Sequence, residues 1–192
     1  MATNTNTCNT IRGLKLDACS PNIGGIKNIW LADYKEGAAT ITKGEGADKT
    51  ELVDGSVSKF DESVKWEKYE MRKNTASMTS TLNNSTDGAS YVTTELALVF
   101  SRMDAAKRAA IQALALGEVM AIVEDSNGEL WFLGKDAPLT ATAGAGETGT
   151  AMSDANRYTL TLTDESKEFP IRLEDSDKPS PTPSQGSGEP SV

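Results

Sequence analysis

Between residues 90 and 134 the apolar positions change period twice, and three elements follow from that. Val92, Thr94, Leu96, Leu98 and Phe100 share one face of an extended segment while Thr93 and Glu95 point the other way, the two-residue period of a half-buried strand. From Met103 the spacing becomes helical: Met103, Ala106, Ala110, Ile111 and Leu114 line one face, and Asp104, Lys107, Arg108 and Gln112 the other. That predicts an amphipathic core helix over 102–116, about four turns long. Ser101 with Asp104 fits a capping box, and Gly117 is placed to end the helix in a left-handed cap. Val119–Val123 and Leu130–Leu133 flank Asp125-Ser126-Asn127-Gly128, where Asn-Gly predicts a hairpin with positive backbone angles at the turn. The unbroken apolar run of the first arm implies a strand covered on both faces, one by the helix and one by a second sheet.

Elsewhere the pattern is mostly extended. Gly24-Gly25 opens a strand over Ile26–Ala32, with Ala39–Thr42 a partner for it. Val64 and Trp66 fall on one face, Tyr69 and Met71 on the other, and Ala76, Met78 and Leu82 back on the first. Such phase changes fit a long bent strand that serves two sheets. Pro138–Ala143 reads as a short strand and Ala143–Ser153 as a small-residue loop. Tyr158, Leu160 and Leu162 alternate with Thr159, Thr161 and Thr163 until Asp164 to Lys167 break the pattern as a turn. Phe169, Ile171 and Leu173 make a last inward row, at a sheet edge because of Pro170. With roughly eight to ten strands and one helix, the fold class expected is mainly β (α+β), an antiparallel β-sandwich or barrel with one packed helix.

Three regions stand apart. Residues 1–23, rich in Thr and Asn, read as an N-terminal arm, 24–175 as the β-domain, and 176–192 as a disordered Pro/Ser-rich tail. Within the domain, 43–63 is an acidic, glycine-containing segment expected to protrude as a loop or extended hairpin.

Composition narrows the chemistry. At 192 residues and 38% hydrophobic the chain can fill one core, and no apolar run approaches the length of a membrane span. The N-terminus lacks a signal-peptide pattern, so synthesis in a cytosol is expected, with Cys8 and Cys19 as free thiols. Histidine is absent, which removes the commonest general base and metal ligand. The formal charge is −9, and residues 36–62 and 164–192 each hold seven acids against three bases. Such a surface repels phosphate, against sequence-specific nucleic-acid binding.

No motif survives its context. Gly144, Gly146 and Gly149 spell G-x-G-x-x-G but lead to a strand instead of a helix. Gly44 to Thr50 lacks the glycine before the lysine of a phosphate loop, and Asp125, Asn127 and Glu129 lack the sixth-position glycine of a calcium loop. The Asn83 and Asn84 sequons carry no weight without secretion. Lys65, Lys68, Arg72 and Lys73, interleaved with Glu67 and Glu70, read as salt-bridged strand surface. No Ser, Cys or Thr has a base partner. No catalytic, cofactor or metal site is expected.

The order of elements, with Gly25-Ile26-Lys27-Asn28-Ile29-Trp30-Leu31-Ala32, then a long acidic loop, then Tyr91-Val92-Thr93-Thr94-Glu95-Leu96-Ala97-Leu98 before an Ala-rich helix, resembles the tail tube proteins of tailed bacteriophages. The likeness covers roughly residues 24–175 and is architectural. It implies a tail-tube-like structural virion protein, assembled in the host cytoplasm into hexameric rings that stack as a conduit for DNA. Its partners are then its own copies, other virion tail proteins and DNA in non-specific passage. One sheet would line the channel, the helix would lie outside, and the loop, here Gly44, Glu45, Asp48, Leu52, Val53, Val57 and Phe60, would reach the adjacent ring. A neck or tail-terminator ring protein is a related reading. Two others are a carbohydrate- or receptor-binding sandwich presenting Trp66, and an enzyme using Glu67 and Glu70.

Overall fold

The computed structural model describes residues 22–43 and 55–173. In chain order its elements are β1 (Ile26–Asp33), β2 (Ala39–Lys43), β3 (Gly55–Phe60), β4 (Glu67–Glu70), β5 (Ser77–Asn84), β6 (Ser90–Ser101), α1 (Ala105–Leu116), β7 (Val119–Asp125), β8 (Leu130–Leu133), β9 (Thr140–Glu147), β10 (Arg157–Ser166) and β11 (Ile171–Leu173). The chain is mainly β, with two antiparallel sheets and a single helix among the described residues, consistent with a β-sandwich. One sheet has the order β11-β8-β7-β1-β4 and the other β5-β6-β10-β9, while β2 and β3 form a separate hairpin.

The alternation along β6 is realised: Val92, Thr94, Leu96, Leu98 and Phe100 are buried and Glu95 is exposed. Leu96, Leu98 and Phe100 meet Leu160 and Leu162 of β10, and Ile29, Leu31, Ala121 and Val123 of the facing sheet, in the sandwich interior. A second apolar layer lies outside the five-stranded sheet, where Trp30, Met120, Ile122 and Phe132 pack with Ala38, Trp66 and Leu173. That explains why β7 is buried on both faces. The outer cover comes from the excursion between β1 and β4, and not from the helix as expected. Phe60 sits edge-on to Trp66 and Phe132 at 5.1 and 5.3 Å between ring centroids.

The helix differs from its sequence reading at both ends. It begins at Ala105, and Asp104 is its N-cap, accepting the Lys107 amide at 2.8 Å; Ser101 belongs to β6. Gly117 has φ −93, so no left-handed cap forms, although its amide closes the last turn onto Ala113 O. Leu114 enters the interior and Ile111 packs against it; Ala110 and Met103 are half-buried, Met103 lying before the helix, and Ala106 is exposed. Only the last turns face the core because α1 lies beside the edge strand β9.

Other expectations are corrected by pairing. Ala39–Lys43 pairs with β3, not with β1. The 64–82 stretch does serve both sheets, but as two strands, β4 and β5, broken at Asn74 with φ 63. Ala76 and Met78 consequently join Tyr69 and Met71 on the interior side, and Leu82 is exposed. In the β7–β8 turn the Asp125 amide donates to Glu129 O at 2.9 Å, enclosing three residues of which Gly128 alone takes positive φ, and the Asp125 carboxylate accepts the amides of Asn127 and Glu129. Asp164 does not end β10: it continues the inward row and is 4% exposed. Phe169 is exposed, while Ile171 and Leu173 pack in the outer layer, on the edge strand that Pro170 implied.

Candidate assembly surfaces

The expected inter-ring loop is divided by what the structure describes. Gly44, Glu45, Asp48, Leu52 and Val53 lie outside the described residues, and Val57 lies in β3 opposite Ile41. Phe60 is partly buried against the outer layer, so it anchors the base of this hairpin and is not free to reach a neighbour. Beyond Phe60, Asp61 fixes the return: it accepts from Lys35 Nζ at 2.5 Å and from the Ser63 amide at 2.8 Å, and these bonds hold its carboxyl well below the usual range.

The edges of the two sheets are unlike. On the five-stranded sheet, β4 reads Glu-Lys-Tyr-Glu, and β11 is three residues long, follows Pro170 and carries Arg172 joined to Glu129. Short length, charge and proline are the devices that keep an edge from pairing with another chain. The four-stranded sheet lacks them. β5 reads Ser-Met-Thr-Ser-Thr-Leu-Asn-Asn and β9 Thr-Ala-Thr-Ala-Gly-Ala-Gly-Glu, eight residues each, without proline and with one terminal charge between them. Every residue of β9 except Ala141 is exposed, so α1 leaves this edge open.

The outer face of that sheet is nearly free of charge. Ser77, Thr79 and Thr81 of β5, Thr93, Ala97 and Val99 of β6, Thr159, Thr161 and Thr163 of β10 and Ala143 and Ala145 of β9 lie in register across it. Thr142 Oγ1 and Thr163 Oγ1 are 2.8 Å apart. Arg157, its one cation, is held by Glu147 at 3.2 Å, whereas Glu95 and Glu165 have no ion pair among the described residues.

What sequence reasoning missed here is the second half of β9, which runs on to Glu147 past the short strand expected over 138–143. Gly144 and Gly146, read as loop, are strand residues on the inward side, where a Cβ on Gly146 would stand 2.9 Å from Tyr158 Cε1. Their alternation with Ala143 and Ala145 was the available signal.

The residues of the other readings do not converge. Trp66 is 6% exposed in the outer layer, so it offers no face to a sugar. Glu67 and Glu70 are exposed on β4, where Glu70 meets Lys68 at 3.4 Å. Among the described residues no group of His, Cys, Asp or Glu is arranged to hold a metal ion. No family model, curated protein or solved structure matches the chain.

Proposed function

We propose that the protein is a structural subunit that joins copies of itself edge to edge into closed rings, which stack as the tube of a phage tail and conduct DNA. The observation that carries this reading is the contrast between guarded edges on one sheet and two open edges of equal length on the other. In an antiparallel sheet of four strands the outer two run in opposite directions. The β9 edge of one copy therefore meets the β5 edge of the next with antiparallel alternation preserved. Such a head-to-tail contact is heterologous and closes into a ring when the rotation allows.

Wedge shape sets which face turns inward. The five-stranded sheet and the β2–β3 hairpin add bulk to one side of the four-stranded sheet, so the bulky side takes the larger circumference. The Thr-rich face then lines the hollow. Six copies, the number the family resemblance implies, bring strands spaced ~4.8 Å apart to a circumference of about 115 Å. A lining with Glu95 and Glu165 and no unpaired cation lets a polyanion slide, because retention depends on neutralising phosphates. Other tail proteins would meet the ends of the stack.

Size-exclusion chromatography with light scattering and negative-stain microscopy of the full chain test the reading. Rings or tubes are expected, and the Thr79→Lys, Thr81→Lys variant, which guards β5, is expected to stay monomeric with its fold intact. A wild-type chain that remains monomeric at every concentration overturns it, and single rings that never stack favour a neck or terminator ring.

A further inference from the structure

The two ends of the sandwich differ in shape and charge. Arg157 starts β10 and Ser166 ends it, so the β9–β10 loop and the β10–β11 connection lie on the order of 30 Å apart. At the first end, the loop 148–156 is tied down by Asp154, whose Oδ2 accepts the amides of Thr150 and Ala151, both at 2.8 Å. Gly149 at φ 71 allows that close approach, since a Cβ there would stand 2.4 Å from Asp154 Cβ. At its tip Met152 is fully exposed. An apolar side chain held in water on a fixed loop is a knob without a hole.

Beside it, Arg102 takes φ 64, a conformation non-glycine residues rarely adopt, and donates its amide to Asn156 O at 2.8 Å. Asn156 Oδ1 accepts the Met103 amide at 2.7 Å, so the loop and the start of α1 are one unit. Arg102 and Arg108 are exposed and form no ion pair among the described residues.

At the opposite end is an open concavity of about 550 Å³. Tyr34 and Tyr91 give it aromatic surface, and Glu36, Asp136 and Glu165 give it acid with no ion pair among the described residues. Lys135 is engaged by Glu168, leaving Lys167 as the one cation there without a partner. Burial, and after it the field of Glu36 and Asp136, raises the Tyr34 phenol.

We infer that stacked copies contact end to end, with Met152 of one copy seated between Tyr34 and Tyr91 of the next and Arg102 and Arg108 facing Glu36, Asp136 and Glu165. This rests on the assembly reading, which supplies the second copy, and names the axial contact that edge pairing leaves undefined. Thioether sulfur packs well against aromatic rings, and the charge difference between the ends fixes polarity and disfavours like ends.

The full chain and three variants, Met152→Asp, Arg102→Glu with Arg108→Glu, and that pair combined with Asp136→Lys and Glu165→Lys, are compared by sedimentation and negative-stain microscopy. All substituted residues are exposed, and circular dichroism checks that each variant folds. Met152→Asp and the Arg pair are expected to keep rings but raise the concentration needed for stacking about tenfold, and the charge-reversed quadruple variant to stack again. Tubes unchanged by Met152→Asp, or no recovery in the quadruple variant, overturn the inference while rings persist. A chain that forms no rings at all overturns the assembly reading beneath it.

Discussion

Asp164 and Gly134 are joined in the interior: the Asp164 carboxylate on β10 accepts the Gly134 amide at 3.1 Å through Oδ2. Its other oxygen, Oδ1, has no partner among the described residues although the residue is 4% exposed. Thr94 stands opposite on β6 and spends its hydroxyl on Ser80 at 3.0 Å. A carboxylate kept inside on one amide bond is costly.

Burial pushes the Asp164 carboxyl up, Asp136 and Glu165 add to that, and the Gly134 bond opposes it. The folded state therefore binds this proton more tightly than the unfolded state. This group's contribution to stability falls as pH rises from the ordinary aspartate range through the raised value. Asp164→Asn keeps an acceptor for Gly134 and removes the charge. It is expected to stabilise the fold by about 1 kcal/mol at neutral pH, a gain that vanishes below the ordinary aspartate range. Urea unfolding of both proteins across pH checks this.

The two β9 glycines are expected to respond differently. A Cβ on Gly146 would meet Tyr158 Cε1 at 2.9 Å and Met103 Cε at 3.2 Å, whereas one on Gly144 would meet Leu160 Cδ1 at 3.5 Å, an ordinary contact. Gly146→Ala is expected to cost about 1–2 kcal/mol through overpacking. Gly144→Ala is expected to be neutral or to gain about 0.5 kcal/mol from reduced chain entropy. Denaturant midpoints of the two variants, measured side by side, decide it.

Asp104 carries the opposite pH sign to Asp164. The Lys107 ammonium first, and then the Lys107 amide, hold its carboxyl below the usual range. Its stabilising contribution is present above the unfolded-state value and is lost as pH falls through the folded one. Asp104→Ala is expected to lower Tm and helical circular dichroism at neutral pH, and the difference from wild type to shrink in acid.

Elements whose neighbours in sequence are also their neighbours in space were legible from the chain. The β6 alternation and the β7–β8 hairpin are of this kind, because register and inward face are set locally. The core helix was legible as a helix, yet Ala106 proved exposed because the width of its buried stripe depends on what lies beside it. Trp66 looked available and is buried, since its cover comes from Phe60 and the outer layer. Of the proposed loop, Phe60 faces the body and packs in the outer layer.

By itself the sequence determined an antiparallel, β-rich fold with one helix between the long strand β6 and the hairpin that follows it, because residue spacing alone sets strand and helix periods. It also set an acidic, histidine-free composition without a catalytic motif. The tertiary structure decided which edges are open, since β4 and β5 are separated by a few residues yet belong to different sheets. It alone brought Met152 and the Tyr34–Tyr91 concavity to opposite ends of one body. Both depend on pairings between residues far apart in the chain, and a local pattern fixes the face a residue presents but not the strand that comes to lie beside it.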